Sequence, residues 1–168
     1  MIFIRSIIQT VLLLLAAAVA APQVFARDGI VGTWNLVSIT TETTDTGEVA
    51  QPYGQHPHGR LAYTPGGHMM ATLTSEGRKQ IGANRFVGSV EDQAEAYKTM
   101  SAYAGTYTVT DTGVVHHVEV ASIESWVGSD QERFTKLEGD TLIIKSPSLF
   151  SPPDGKRRVI TLVWQRIE

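Results

Sequence analysis

Residues 60–69 read Arg-Leu-Ala-Tyr-Thr-Pro-Gly-Gly-His-Met and decide the fold class of this chain. A run with apolar and aromatic residues ends at Tyr63-Thr64, and Pro65-Gly66-Gly67 supplies the residue types that a tight turn needs. A second run, His68 to Thr74, follows directly. Two extended runs joined by so short a turn are typical of a β-hairpin, so the centre of the sequence predicts antiparallel sheet.

The same alternation of short runs and turns continues on both sides of this hairpin. Runs rich in Val, Ile, Thr, Tyr and Trp are separated by turn signals at 45–47, 111–113 and 138–140. The first run is Val31 to Thr43 and the last is about Arg157 to Ile167. Counting along the chain predicts eight strands, at a spacing typical of an all-β barrel or sandwich.

One segment departs from the strand period. Ser89-Val90-Glu91-Asp92 is a capping-box pattern and predicts the start of a helix. The apolar positions that recur at helical spacing are Val90, Ala94, Tyr97, Met100 and Ala104. Gly105 stands where a left-handed helix cap favours glycine. We expect one helix between the third and fourth strands, with this aromatic and methionine stripe covering one mouth of a barrel.

The N-terminus has the pattern of a secretory signal peptide. Arg5 precedes an apolar stretch from Ile7 to Ala21, and Val24-Phe25-Ala26 has small or β-branched residues where a signal peptidase reads them. The stretch is shorter than the roughly 20 residues of a membrane-spanning helix, which favours cleavage after Ala26 over an uncleaved anchor. We expect residues 1–26 to be removed and 27–168 to form one exported domain, periplasmic or secreted, without membrane insertion.

Composition excludes several classes of partner and site. The chain has no cysteine, so it forms neither disulfides nor thiolate metal sites. After residue 26 there are 13 basic and 17 acidic residues, a net charge of −4, and the basic residues are dispersed, so nucleic acid is not an expected partner. No P-loop, dinucleotide fingerprint or nucleophile elbow is present, and we expect no cofactor. His56, His58 and His68 have no further ligand close in sequence, so we expect no metal.

Four blocks of sequence resemble the lipocalin-like domain family of bacterial and fungal proteins. They are Gly32-Thr33-Trp34-Asn35-Leu36-Val37-Ser38, the hairpin 60–69, Tyr103-Ala104-Gly105-Thr106-Tyr107, and His116-His117-Val118-Glu119 with the following Ala121-Ser122, Trp126 and Val127-Gly128. The resemblance implies an eight-stranded antiparallel up-and-down barrel of the calycin type. It implies that Arg166 covers Trp34, as an arginine covers the first-strand tryptophan in lipocalins. It supplies no catalytic residue, and the Thr-Asp-Tyr signature of true lipocalins is absent.

Two orientations are open for the strand that carries His116 to Glu119, because either of its faces can point into the barrel. Successive side chains of a strand alternate, so His117 and Glu119 share one face, while His116 shares the other with Val118 and Val120. The valines favour His116 in the interior. The position of the strand at the centre of the family resemblance favours a polar cavity that holds His117 and Glu119, where the carboxylate would set the imidazole's tautomer. The sequence leaves both assignments open.

The leading hypothesis is a protein that binds a small, apolar or amphipathic molecule inside the barrel. The residues predicted to contact it are Tyr63, Met70, Tyr103, Tyr107, His116, His117, Glu119, Trp126 and Arg133. A second hypothesis is an isomerase, cyclase or hydratase that uses His117 and Glu119 as acid and base. A third is a structural or interaction module with a packed core. The sequence defines neither the ligand nor the oligomeric state.

Overall fold

The computed structural model describes residues 27–82, 87–151 and 154–168. The predicted signal peptide, residues 1–26, lies outside the described residues. In chain order the elements are α1 (Arg27–Ile30), β1 (Gly32–Thr43), β2 (Val49–Ala50), β3 (His58–Tyr63), β4 (His68–Thr74), α2 (Val90–Lys98), β5 (Met100–Val109), β6 (Gly113–Ala121), a 3-10 turn (Glu124–Trp126), β7 (Asp130–Glu138), β8 (Thr141–Lys145), β9 (Leu149–Ser151) and β10 (Lys156–Arg166).

Eight of these strands close into an antiparallel barrel. Their order around the barrel is β1-β3-β4-β5-β6-β7-β8-β10, and β10 pairs back with β1 from Trp34 opposite Arg166 to Thr43 opposite Arg158. The two short strands extend the sheet, β2 on β1 and β9 on β10. The predicted all-β eight-stranded barrel is confirmed, with these two short strands raising the number of strands in the described residues to ten.

The predicted position of the helix is wrong. Helix α2 follows β4 rather than the third strand, because the short strand β2 lies between β1 and β3. Ser89 caps the helix as predicted and accepts a hydrogen bond from the Asp92 backbone N–H. The helix ends at Lys98, whereas Met100 and Ala104 belong to β5. The pairing of β5 with both β4 and β6 overrides the helical spacing of its apolar residues.

Gly105 does not cap a helix. It lies in β5 opposite a bulge in β6, where the register between the two strands shifts between Ala104 and Gly105. A Cβ atom at this position would lie 1.9 Å from the carbonyl oxygen of His117. Glycine is therefore required by the close approach of two strands rather than by a turn.

The apolar stripe predicted on α2 does not cover the barrel mouth. Val90 is 77% exposed and Tyr97 is 57% exposed, and no residue of this helix is buried. Polar contacts hold the helix instead, among them the Arg78 guanidinium, which donates to the Ala96 carbonyl at 2.9 Å. With only nine residues, α2 does not reach the positions that would have extended its apolar face.

One end of the barrel is closed by α1 and by the last strand. Trp34 is fully buried and donates its indole N–H to the Ile30 carbonyl at 2.9 Å. The guanidinium carbon of Arg166 lies 4.1 Å from the centre of the Trp34 ring, a cation–π contact. Arg166 also donates to the carbonyls of Val31 and Gly29 at 2.7 and 2.6 Å. The predicted placement of Arg166 over Trp34 is confirmed, and the arginine ties α1 across this end.

Buried side chains fill the interior next to that closed end. They include Trp34, Leu36, Leu61, Tyr63, Met69, Tyr107, Val114, Leu142 and Trp164. Because neighbouring strands are antiparallel, these residues come from the starts of β1, β4, β6 and β8 and from the ends of β3, β5 and β10. We call this half of the interior the packed half.

Candidate ligand-binding cavity

The other half of the barrel interior contains a cavity of about 540 Å³. Its walls come from the opposite ends of the same strands, with Ile39 on β1, Leu73 on β4, Tyr103 on β5 and Leu162 on β10. Sites for small molecules commonly have volumes of roughly 300–1,000 Å³. The barrel is therefore not filled throughout by its own side chains, and a small molecule fits inside it.

The cavity walls combine a broad apolar surface with polar groups from a few strands. The apolar and aromatic lining residues are Ile39, Tyr53, Leu73, Trp126, Pro147, Leu149, Ile160 and Leu162. The polar lining residues are Ser101, Tyr103, Asp130, Gln131, Glu132, Arg133 and Ser146. The rings of Tyr103 and Trp126 meet edge to face, with their centres 5.6 Å apart. Such a wall suits a ligand with an apolar, flat body and a small number of polar atoms.

A chain of three hydrogen-bonded side chains connects the cavity with the packed half. The Tyr63 hydroxyl lies 2.7 Å from Nε2 of His116, and Nδ1 of the same imidazole lies 3.0 Å from the Tyr103 hydroxyl. Tyr63 is 2% exposed and His116 is 1% exposed, whereas Tyr103 lines the cavity. Strands β3, β6 and β5 each contribute one member of this Tyr63–His116–Tyr103 chain.

Burial keeps all three side chains of the Tyr63–His116–Tyr103 chain uncharged. It lowers the pKa of His116 from 6.5 to about 3, and the positive charge of Arg133 acts in the same direction. Burial also raises the pKa of both Tyr63 and Tyr103 above 10, and Arg133 offsets part of the rise at each. At neutral pH the imidazole is therefore neutral, and both phenols are protonated.

Arg133 places a positive charge beside the neutral Tyr63–His116–Tyr103 chain. Its guanidinium donates to the carbonyl of Glu132 at 2.8 Å and to the side-chain oxygen of Gln131. Both of these partners also line the cavity. The guanidinium also donates to the Tyr103 hydroxyl. A guanidinium has five N–H donors, so these three contacts leave donors for a ligand oxygen.

The structure separates the predicted contact residues into three groups. Tyr103, Trp126 and Arg133 line the cavity. Tyr63, Tyr107 and His116 are buried in the barrel interior. Met70, which is 60% exposed, lies on the outer surface with His117 and Glu119.

The structure decides which face of β6 points inward. His116 and Val118 are buried, whereas Glu119 is exposed. His117 lies on the outer surface, with Nδ1 2.7 Å from Oδ1 of Asp130 and Nε2 2.9 Å from the Thr108 hydroxyl. The assignment of His117 and Glu119 to the barrel interior is therefore wrong, because the interior side of this strand carries the other histidine.

Sequence analysis missed most of the apolar lining. Ile160 and Leu162 lie four and two residues before the buried Trp164 and so share its face. The two-residue period of a strand, counted back from Trp164, is the signal that identifies both residues as facing inward. Ile39 carries no such signal relative to Trp34, because a bulge between Leu36 and Ser38 changes the phase of β1.

The histidine-containing loop has a different environment from the cavity. His56 and His58 are exposed, and the carboxylate of Glu76 accepts hydrogen bonds from the backbone N–H groups of Gln55 and His56. Those bonds lower the pKa of Glu76. Across the ranges that the structure describes, no three His, Cys, Asp or Glu side chains are grouped so as to hold a metal ion.

Within the same described ranges, no helix has both the length and the apolar character needed to cross a membrane.

A closed antiparallel barrel with a largely apolar internal cavity and polar groups on one wall defines the class of ligand-binding barrels. Comparison with known proteins agrees with this class. The chain belongs to the lipocalin-like domain family, which it matches over residues 31–167. It is also 34% identical over 110 residues to the 4'-hydroxy-3'-methoxypropiophenone carrier protein ppsC of Aspergillus oryzae (strain ATCC 42149 / RIB 40), covering 59% of this chain and 96% of that protein. The family resemblance seen in the motifs is confirmed.

Proposed function

We propose that this protein is an exported carrier that holds a small, largely apolar molecule in the cavity of its barrel. The observation that carries the proposal is the 540 Å³ cavity itself, bounded by apolar side chains and by Tyr103 and Arg133. Membership of the lipocalin-like family and the similarity to a protein named as a carrier support the same function. Among the predicted contacts, Tyr103, Trp126 and Arg133 are the ones that touch the ligand directly.

The ligand class follows from the shape and chemistry of the walls. An aromatic body packs against Trp126 and the aliphatic residues, and one or two oxygen atoms face Tyr103 and Arg133. The similar Aspergillus oryzae protein is named for a methoxylated aromatic ketone. That compound, 4'-hydroxy-3'-methoxypropiophenone, is therefore a suitable first probe for this chain.

Calorimetry and native mass spectrometry of the purified protein with this probe test the proposal. We expect saturable binding of one molecule per chain. Leu162→Trp places a large side chain in the cavity and should abolish binding, while Val163→Trp, on the other face of β10, should preserve it. If both variants bound the probe like the unmodified protein, the barrel cavity would not be the site.

The export component of the proposal rests on residues 1–26. A basic residue, an apolar stretch and the Val24-Phe25-Ala26 signature support removal of this segment. N-terminal sequencing of protein recovered outside the cytoplasm of an expressing cell should begin at Arg27. Recovery of only the uncleaved chain inside the cytoplasm would contradict export and would leave the binding proposal unaffected.

The two other hypotheses have less support. The enzyme hypothesis needed His117 and Glu119 inside the barrel, and both lie outside it. The packed-module hypothesis needed an interior filled by side chains, and the cavity contradicts that. Carriage of a small molecule is the function that the site supports best.

A further inference from the structure

We propose that Tyr63 sets the tautomer of His116, so that the Tyr103 hydroxyl serves as a hydrogen-bond donor to the ligand. Together with Arg133, this donor would select ligands that present an acceptor oxygen, such as a ketone carbonyl, on an otherwise apolar body. The inference rests on the proposed carrier function and adds to it the chemical group that the cavity recognises.

The first step concerns Tyr63, whose hydroxyl proton needs an acceptor. The side chain is 2% exposed, and within the described residues its hydroxyl has one hydrogen-bond partner, Nε2 of His116. If Nε2 carried a proton, Tyr63 would accept that hydrogen bond and its own O–H would be buried without an acceptor. Such a group costs about 1–3 kcal/mol. Tyr63 is therefore the donor, and Nε2 is the unprotonated nitrogen.

The second step follows from the neutrality of the imidazole. A neutral histidine carries one proton on its two ring nitrogens, so Nδ1 is protonated and donates to the oxygen of Tyr103. The two distances agree with this direction. The Tyr63 contact, at 2.7 Å, has the length usual for a hydroxyl donor, and the Tyr103 contact, at 3.0 Å, has the length usual for an N–H donor.

The third step concerns the proton of Tyr103. In the described part of the chain the Tyr103 hydroxyl has two hydrogen-bond partners, Nδ1 of His116 and the Arg133 guanidinium, and both bonds use its oxygen as acceptor. The hydroxyl proton is retained, because burial raises the pKa of this phenol. Arg133, the cation beside it, has only donors. The acceptor for this proton must therefore come from a molecule in the cavity.

The resulting site presents donors and a positive charge to the ligand. Tyr103 contributes an O–H, and Arg133 contributes N–H groups and its charge, from β5 and β7 respectively. An oxygen that accepts from both is favoured over a hydrogen-bond donor or a purely apolar group. Tyr63 and His116 do not line the cavity and act as positioning residues.

Nitrogen NMR of the ligand-free protein at pH 7 tests the tautomer directly, because protonated and unprotonated ring nitrogens have different chemical shifts. We expect His116 to be protonated at Nδ1 and unprotonated at Nε2. Tyr63→Phe removes the donor without changing the size of the ring and should give a mixture of tautomers. Tyr97→Phe, on the exposed face of α2, is the matched control and should leave the spectrum unchanged. An Nε2-protonated or cationic His116 in the unmodified protein overturns the inference.

Binding of a matched pair of probes tests the selection. Propiophenone and n-propylbenzene differ by a carbonyl oxygen, so the ratio of their affinities measures recognition of that oxygen. We expect this ratio to fall about fivefold in Tyr103→Phe, as for the loss of one ordinary hydrogen bond, and to be unchanged in Tyr97→Phe. An unchanged ratio in Tyr103→Phe overturns the inference. If neither probe bound, the carrier proposal would lose its support, while the NMR spectrum would still decide the tautomer.

Discussion

The packed half and the cavity half of this barrel are made from the same strands but differ in how they are filled. Around the packed half, Trp34, Leu142 and Trp164 exclude solvent almost completely. Along the same strands toward the other end, smaller or half-buried residues such as Ile160 and Leu162 stand around about 540 Å³ of space. The difference shows that packing in one half of the barrel stabilises the fold. The other half can therefore contain a cavity.

Two tryptophans illustrate how the packed half is secured. Trp34 has its indole N–H bonded to the Ile30 carbonyl and its ring covered by Arg166. Trp164, 1% exposed, has no hydrogen-bond partner for its indole N–H among the described residues. Its large apolar area is buried all the same, so packing rather than hydrogen bonding accounts for its contribution.

The largest expected contrast is between two leucines on neighbouring strands. Leu142→Ala on β8 removes a fully buried side chain from the packed half and should lower the free energy of unfolding by about 3–4 kcal/mol. Leu162→Ala on β10 removes a side chain that already borders empty space and should cost about 1 kcal/mol. Urea denaturation of both variants measures the difference. Equal losses would mean that the two halves are packed alike in solution.

A second test concerns Gly105, which lies in β5 between the two halves and opposite the bulge in β6. Tyr107 lies on its packed side and Tyr103 on its cavity side. Gly105→Ala forces β5 and β6 apart, because the new Cβ would lie 1.9 Å from a carbonyl oxygen. We expect a loss of about 2–3 kcal/mol in urea denaturation. Gly66→Ala is the control, since its Cβ would meet nothing closer than 3.7 Å, and a similar loss there would refute the packing explanation.

The sequence predicted the barrel better than it predicted the cavity. Strand alternation and turn residues are local signals, and they predict the antiparallel strands. The closed barrel and Arg166 over Trp34 follow from the family resemblance, and the structure confirms both. The end of α2 depends on whether residues 100–109 pair with β4 and β6, which is a contact between distant segments. The helical spacing of apolar residues does not show whether residues 100–109 continue the helix or pair as a strand.

The orientation of β6 was undecidable for a related reason. Strand alternation predicts Val118 and Val120 on the face of His116, yet Val118 is 3% exposed and Val120 is 61% exposed. Gly105 pairs with Val118 and Ala104 with Val120, so Glu119 is the extra residue of a bulge in β6. A bulge changes which residues face inward on the strand that contains it, and the alternation of residue types along β6 does not mark its position.

The smallest expected effect tests whether the boundary between the halves is dry. His116 lies at that boundary, and its pKa of about 3 in the folded protein is below the 6.5 of an unfolded histidine. The unfolded chain therefore binds a proton that the folded chain does not, so stability is fully present above pH 6.5 and falls as the pH drops toward 3. Between pH 7 and pH 5 the loss from this residue should be about 2 kcal/mol.

Urea denaturation at several pH values in that range measures this loss, above the pH at which Glu76 and Asp154 titrate. His116→Gln should remove the pH dependence that this residue causes, whatever its effect on stability at pH 7. His117→Ala, one position along but on the outer surface, should retain it. If the stability of the unmodified protein did not fall between pH 7 and pH 5, water from the cavity would have to reach and solvate the protonated imidazole of His116. The packed half would then begin deeper in the barrel than the Tyr63–His116–Tyr103 chain.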